Sequence, residues 1–154
     1  NFNRAILPVI KALGKPIATD VHVLSDIHDE YNKDFLKAAD ILFLSDEAVK
    51  DNYEEFILSI AKEYNTNIIV MGRGKKGVAY YEKADGTVRT MPIAESGNVV
   101  NTIGAGDALF SSFIHFYSKG FSVENSLAYA QKFASIKIQT NGAANGFVTE
   151  DKIL

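Results

Sequence analysis

The chain has 154 residues, of which 47% are hydrophobic, so it is long enough for one domain with a substantial core. Its net charge of −3 offers no electrostatic argument for nucleic-acid binding, and the absence of cysteine excludes disulfides and thiolate metal sites. No apolar run is long enough to span a bilayer, and the start of the chain has no signal-peptide pattern, so we expect a cytoplasmic protein.

The first half of the chain predicts alternating helices and strands. Apolar residues at helical spacing predict helices over 5–13, 31–39 and 51–64. Short apolar runs predict strands over 17–23, 41–45 and 67–71. The run at 41–45 is apolar up to its final Ser45, which is typical of a strand in a parallel sheet covered on both faces.

The second half predicts a hairpin followed by helices. Two strands, 78–83 and 87–93, flank an Ala-Asp-Gly turn. A helix is predicted over 108–118, and Ser122 caps another that runs to about residue 139. Residues 149–154 predict a short final helix. This alternation indicates the α/β class, without internal repeats.

The most informative stretch is 101–107, Asn-Thr-Ile-Gly-Ala-Gly-Asp, directly before the helix at 108–118. A small-residue turn at a helix start presents free N–H groups and the positive end of the helix dipole, which favours phosphate. Asp107 would then lie beside the anion, where it is suited to be the general base of phosphoryl transfer. A plain glycine turn explains the same spacing, so the pattern alone leaves both interpretations open.

Residues 102–107 resemble the D-T-x-G-A-G-D signature of the PfkB/ribokinase family of carbohydrate kinases. The resemblance implies a ribokinase-like three-layer α/β/α sandwich, with a mostly parallel sheet and a β-hairpin. It implies ATP-dependent phosphorylation of a sugar hydroxyl, with Mg²⁺. It also implies that Asp107 is the base, and that the amides of Gly104, Ala105 and Gly106 hold the transferring phosphoryl group.

The first aspartate of that signature is Asn101 in this chain. In the family this aspartate helps to bind a monovalent cation such as K⁺. The resemblance implies a cation site formed by Asn101 and Ile103 with the loop carbonyls around Thr140, Gly142 and Gly146. A glycine at the end of a helix explains the later loop equally well, and Asn101 departs from the family pattern, so cation use is open.

A second glycine motif, residues 72–77, reads G-x-G-x-x-G after a predicted strand. A dinucleotide site needs a helix to start there, and the sequence predicts another strand instead, so this interpretation is rejected. The motif resembles the family's T-x-G-x-x-G element along the nucleotide, although a simple glycine turn is the alternative. The nucleotide-binding residues that the resemblance implies are Gly72, Gly74, Gly77, Gly106 and Gln131.

The loop after the strand at 41–45 departs from the family. Many members carry N-x-x-E there, at the metal and phosphates, whereas this chain has Ser45 and Ala48. Either the adjacent Glu47 substitutes through a shifted loop, or the element is lost. The departures motivate an alternative function, a non-catalytic nucleotide-binding relative. A kinase of a nucleoside or a vitamin-like alcohol is a further alternative.

Residues 20–22 and 25–30 resemble the D-x-H and S-D-x-H openings of metallophosphoesterases. A two-metal centre needs further histidines, and His115 is the only other one in the chain. We therefore expect a polar loop at a strand end, with Asp20 or His22 lining the active-site side.

The resemblance corresponds to the C-terminal half of the family pattern. We expect residues 1–154 to be the ATP-side portion of one PfkB-type domain, without the N-terminal sugar-binding half and lid. The expected partners are a small sugar and ATP, not nucleic acid or membrane, and a homodimer would form through the lid. The isolated portion is expected to be inactive.

Overall fold

The computed structural model describes residues 2–154, with the side chains of Phe2 and Lys50 left aside. The chain divides into two units, Asn1–Met91 and Pro92–Leu154, and each is described by itself. The helices are α1 (Phe2–Ala12), α2 (Lys33–Ala38), α3 (Tyr53–Tyr64), α4 (Ala105–Ser118) and α5 (Val123–Lys137). The strands are β1 (Ala18–Val23), β2 (Ile41–Ser45), β3 (Ile68–Gly72), β4 (Val78–Glu82) and β5 (Thr87–Met91).

The first unit contains a five-stranded sheet in the order β1-β2-β3-β4-β5. β1, β2 and β3 are parallel, whereas β4 and β5 pair antiparallel as the predicted hairpin. The carboxyl ends of β2 and β3 meet, because Ser45 is in register with Gly72. The loops that leave these two strands therefore share one edge of the sheet.

The core of the first unit lies against β2 and β3. In each strand the first four residues are buried and the last is partly exposed, as the uniform apolar runs predicted. Leu36 of α2 and Ile57 and Ile60 of α3 are fully buried in the same cluster. Burying each such side chain contributes about 1.5–3 kcal/mol, so these contacts fix the helices on the sheet.

The second unit is built on α4 and α5. Phe113, Phe116 and Leu127 are fully buried, and the ring of Phe116 lies 4.8 Å from that of Tyr129. The predicted cap is confirmed, since Ser122 Oγ accepts from the Asn125 amide at 3.2 Å. Within residues 2–154, none of the helices combines the length and the apolar character needed to cross a membrane.

Two predictions of secondary structure were wrong in detail. α4 starts at Ala105 and not at 108, so the glycine turn runs directly into the helix. The final helix over 149–154 is a single 3₁₀ turn, Glu150–Lys152. So short a segment gains too few hydrogen bonds to offset the cost of helix nucleation.

This 3₁₀ turn is attached to α4 by Glu150. Its carboxylate accepts hydrogen bonds from Lys119 Nζ at 2.5 and 2.7 Å, and Oε2 lies 2.9 Å from His115 Nε2. The hydrogen bond from Lys119, followed by that from His115, lowers the pKa of Glu150 from its usual value. A lowered folded-state pKa means that the ion pair stabilises the fold at neutral pH, and that this is lost as pH falls through that pKa.

We therefore expect Glu150→Gln to lower the midpoint of thermal unfolding slightly at about pH 7, and we expect this difference to shrink as the pH falls through the lowered pKa of Glu150. The measurement is circular dichroism during heating at several pH values. Glu124→Gln is the control, because Glu124 is an exposed first-turn carboxylate of α5. A difference that is the same at every pH, including the acidic end of the series, would contradict the assignment.

Candidate functional site

The turn before α4 requires glycine at its centre. Gly104 is the N-cap of α4 and has φ +80° and ψ 8°, a left-handed conformation that side chains rarely adopt. A Cβ at this position would lie 3.1 Å from the carbonyl oxygen of Ala143 and 3.3 Å from Cε of Lys137. Both the backbone angle and the space therefore exclude a larger residue.

The turn leaves several amides free at the start of α4. The Ile103 amide donates to Asn101 Oδ1 at 2.8 Å, and that of Ala105 donates to the Thr102 carbonyl at 3.1 Å. Within the described chain, the amides of Gly104, Gly106 and Asp107 have no acceptor. A left-handed residue followed by a helix start is an anion-binding arrangement of N–H groups, and the helix dipole adds to it.

Gly106 and Asp107 are exposed in the first turn of α4. A Cβ at Gly106 would meet no atom of the described residues within 4 Å, so neither packing among them nor the backbone requires glycine there. The Asp107 side chain makes no hydrogen bond or ion pair with the residues that the structure describes, while its carbonyl accepts from Ser111 Oγ at 2.7 Å. A carboxylate thus stands free beside unpaired amides, as general base chemistry requires.

The residues expected around a cation come together in the second unit. The side chain of Asn101 donates to Asn141 Oδ1 at 3.1 Å, and its amide donates to the Ile138 carbonyl at 3.0 Å. Thr140 Oγ1 lies 3.0 Å from the Asn145 carbonyl oxygen. A Cβ at Gly146 would lie 2.5 Å from this hydroxyl, so only glycine fits.

Lys137 is a residue of this region that the sequence analysis missed. It is fully buried, and its Nζ donates to the Gly142 carbonyl at 2.7 Å. One signal was available in the sequence, because Lys137 lies three residues after Ala134 and seven after Ala130, on the apolar side of α5.

The second glycine motif follows β3 in the first unit. Gly72 ends the strand, Gly74–Lys76 form a 3₁₀ turn, and β4 starts at Val78, which confirms that this is not a dinucleotide fingerprint. Gly77 has φ 85° and ψ −129°, and its carbonyl accepts from the Arg73 amide at 2.8 Å. The nucleotide contact of these glycines stays a prediction.

The basic side chain fixed at this edge of the sheet is Arg73, which the sequence analysis did not single out. Its guanidinium lies 3.7 Å from the centre of the Tyr53 ring, and its Nε lies 3.8 Å from Asp46 Oδ2. The side chain is only 11% exposed. Lys75 and Lys76 are exposed, and Lys76 pairs with the exposed Asp51 at 3.8 Å, so Arg73 is the cation that is packed against this loop.

The loop after β2 is a 3₁₀ turn, Asp46–Ala48, capped by Ser45 Oγ, which accepts from the Glu47 amide at 3.3 Å. Glu47 is exposed, so it presents a carboxylate at the edge where the glycine motif also lies. Whether it substitutes for the family's glutamate stays open.

The polar loop after β1 is formed by local hydrogen bonds. Asp20 Oδ1 accepts from the His22 amide, and Asp26 Oδ1 accepts from the His28 amide, both at 2.8 Å. His22 has φ 57° and is exposed. Across residues 2–154 no group of three or more acidic, histidine or cysteine side chains is arranged to hold a metal.

Gln131 lies on α5 and is 5% exposed. Its side chain is therefore almost entirely inside the second unit, and little of it can contact a ligand in this conformation. The predicted contact with adenine stays a prediction.

A comparison with known families places the chain. The pfkB family carbohydrate kinase profile matches residues 35–150, which is most of the chain. The chain therefore belongs to the pfkB family of carbohydrate kinases.

Individual relatives agree with this family. The 5-dehydro-2-deoxygluconokinase of Listeria monocytogenes serotype 4a (strain HCC23) is 31% identical over 91 residues, 59% of this chain and 27% of the relative. The microbiome-derived acarbose kinase Mak1 has a TM-score of 0.88 at 22% identity, and the match covers 99% of this chain and 51% of that one. Arabidopsis thaliana ribokinase complexed with ribose and ATP has a TM-score of 0.80 at 22% identity, and the match covers 99% of this chain and 50% of the ribokinase chain.

These similarities confirm the predicted ribokinase-like α/β fold. The chain spans about half the length of these solved structures and 27% of the curated relative.

Proposed function

We propose that the full-length protein transfers the γ-phosphoryl group of ATP to a sugar hydroxyl. The observation that carries this proposal is the exposed carboxylate of Asp107 beside the unpaired amides at the start of α4. Membership of the pfkB family supports it, and so does the name of the Listeria relative, a kinase of a sugar derivative. A cytoplasmic location, where ATP is available, belongs to the same proposal.

Each residue of the turn has a defined task in this reaction. Asp107 removes the proton from the acceptor hydroxyl as the oxygen attacks the γ-phosphorus and the bond to the β-phosphate oxygen breaks. We assign the free amides of Gly104 and Gly106 to the charge on the transferring group, and the predicted third donor, the Ala105 amide, would join them only after releasing the Thr102 carbonyl. Fixed donors stabilise such charge more than water does, because they need no reorganisation.

The remaining predicted residues serve the nucleotide. We assign Gly72, Gly74, Gly77 and Gly106 to ATP, and we leave out Gln131, which the resemblance also implies, because its side chain is almost entirely buried. Magnesium neutralises phosphate charge in such reactions and binds through phosphate oxygens with one or two carboxylates. Glu47 is exposed after β2 and is an available oxygen ligand of this kind.

The acceptor is assigned to a part of the kinase domain outside residues 1–154. The solved structures that match the chain are about twice as long as the matched region. We therefore propose that this chain is the C-terminal, ATP-side portion of the domain and does not turn over alone.

The test is incubation of the full-length protein with Mg·ATP and a panel of sugars, sugar acids and nucleosides, followed by detection of ADP and the phosphorylated product. We expect product with at least one sugar or sugar derivative. A nucleoside as the sole acceptor would assign the protein to nucleoside kinases instead.

A non-catalytic nucleotide-binding relative is the second candidate. It is favoured by Ser45, which is engaged as a cap, and by Ala48 and Asn101 at positions where the family carries other residues. Binding of Mg·ATP in calorimetry without product from any acceptor would support this candidate and overturn the kinase proposal.

A further inference from the structure

A buried lysine lies against the glycine turn. Lys137 is fully buried, and its Cε would lie 3.3 Å from a Cβ at Gly104, the N-cap of α4. Its Nζ donates to the Gly142 carbonyl at 2.7 Å. In the described part of the chain no carboxylate forms an ion pair with it, so the positive charge is balanced by dipoles alone.

The surroundings of this ammonium group are oxygen-rich but uncharged. Lys137 is the last residue of α5, where the free carbonyl groups carry the negative end of the helix dipole. The carbonyl oxygen of Ala143 also faces Gly104, at 3.1 Å from where its Cβ would be. A cluster of carbonyl oxygens at a helix end stabilises a monovalent cation, and in this chain it holds the lysine.

The same residues fit a free K⁺ ion poorly. The predicted K⁺ site includes the Gly142 carbonyl, which in this structure accepts a hydrogen bond from Lys137 Nζ. It also used the family's aspartate, which is the neutral Asn101, with Oδ1 bonded to the Ile103 amide and Nδ2 to Asn141. A K⁺ ion beside the ammonium would add a repulsive charge without a carboxylate to offset it.

We propose that the ammonium group of Lys137 is a built-in monovalent cation of the glycine turn and makes phosphoryl transfer independent of added K⁺. This inference rests on the proposed kinase function. The positive charge of Lys137 lies next to Gly104 and so favours an anion at the amides of the turn. Because this charge belongs to the chain, no separate cation has to bind. Lys137 is a positioning residue, since it acts on the phosphoryl group through the turn.

The first measurement compares K⁺ with tetramethylammonium at about 0.1 M and equal ionic strength. For the wild-type full-length protein we expect sugar phosphorylation and the midpoint of thermal unfolding to be the same in both salts. A midpoint or a rate that rises with K⁺ in the wild type would show a bound ion and overturn the inference. The unfolding measurement needs no sugar acceptor, so it tests for a bound K⁺ ion even if the kinase proposal fails.

The second measurement uses variants. Lys137→Met keeps the length of the side chain and removes the charge, and we expect kcat/KM to fall at least about tenfold. Lys137→Ala opens space for an ion, and we expect K⁺ or ammonium to restore part of its activity and raise its unfolding midpoint. A merely structural role of Lys137 would give no such rescue, and its absence would overturn the inference.

Lys132→Met is the matched control. Lys132 lies five residues before Lys137 on the same helix, and its Nζ also donates to a backbone carbonyl, that of Ile153 at 2.6 Å. Its substitution should leave the rate and the salt response unchanged. Equal losses in Lys132→Met and Lys137→Met would contradict a specific effect at the turn.

Discussion

Replacing Asp107 by Asn in the full-length protein is expected to reduce kcat for sugar phosphorylation by about 10²–10⁴-fold. The amide has nearly the same shape but cannot take the proton of the acceptor hydroxyl. The fold should remain intact, because the Asp107 side chain is exposed and bonds to no described residue. Binding of Mg·ATP should persist, since the turn amides belong to the backbone.

Glu124→Gln separates this catalytic effect from a helix effect. Both Asp107 and Glu124 are exposed carboxylates in the first turn of a helix. Each therefore stabilises its helix by about 0.3–1 kcal/mol through its interaction with the helix dipole. Turnover should therefore drop in Asp107→Asn alone, while both unfolding midpoints change little. Near wild-type turnover in Asp107→Asn would show that Asp107 is not the general base.

Gly106→Ala is expected to abolish most phosphoryl transfer without loss of stability. A Cβ at Gly106 would contact none of the described residues, and alanine is the better helix former by up to about 1 kcal/mol. Because Cβ atoms of a helix tilt toward its N-terminus, we expect the methyl group to lie near the free amides, where the phosphoryl group is proposed to bind. Misplacing a reacting group by an ångström costs about 10²-fold, which is the fall in kcat/KM that we expect.

Gly104→Ala is the matched variant, and unlike Gly106→Ala it is expected to lower the stability of the fold. Its backbone has φ +80°, and the added Cβ would lie 3.1 Å from the Ala143 carbonyl oxygen, so we expect a loss of about 1–3 kcal/mol of stability. Urea unfolding and kinetics on both variants test the pair. A Gly106→Ala protein that is destabilised and still active would contradict the placement of the phosphoryl group.

Local patterns predicted most of the first unit correctly. The uniformly apolar runs of β2 and β3 became strands buried on both faces, and the Ala-Asp-Gly turn became the β4–β5 hairpin. Each of these signals lies within a few consecutive residues, so backbone propensity and burial agree. Helix ends were less accurate, because α4 begins inside the glycine turn, where free amides and not apolar spacing define the start.

The anion turn was also readable from the sequence, since glycines, a small residue and a carboxylate before a helix are a local pattern. The sequence did not show that its two glycines differ in why they are required. Gly104 is fixed by the approach of Ala143 and Lys137, while no described residue approaches Gly106 within 4 Å of where its Cβ would be. Only contacts between distant parts of the chain could distinguish a glycine required by packing from one left open toward a ligand.

The sequence by itself determined the α/β class, the strands and the position of the glycine turn, because hydrophobic spacing and turn chemistry act over a few residues. The tertiary structure decided which charged groups are buried. Arg73 lies against Tyr53 and Asp46, and Lys137 is enclosed at the end of α5. A lysine in a sequence is usually solvated; whether it becomes an internal cation depends on carbonyl groups that only the folded chain brings to it.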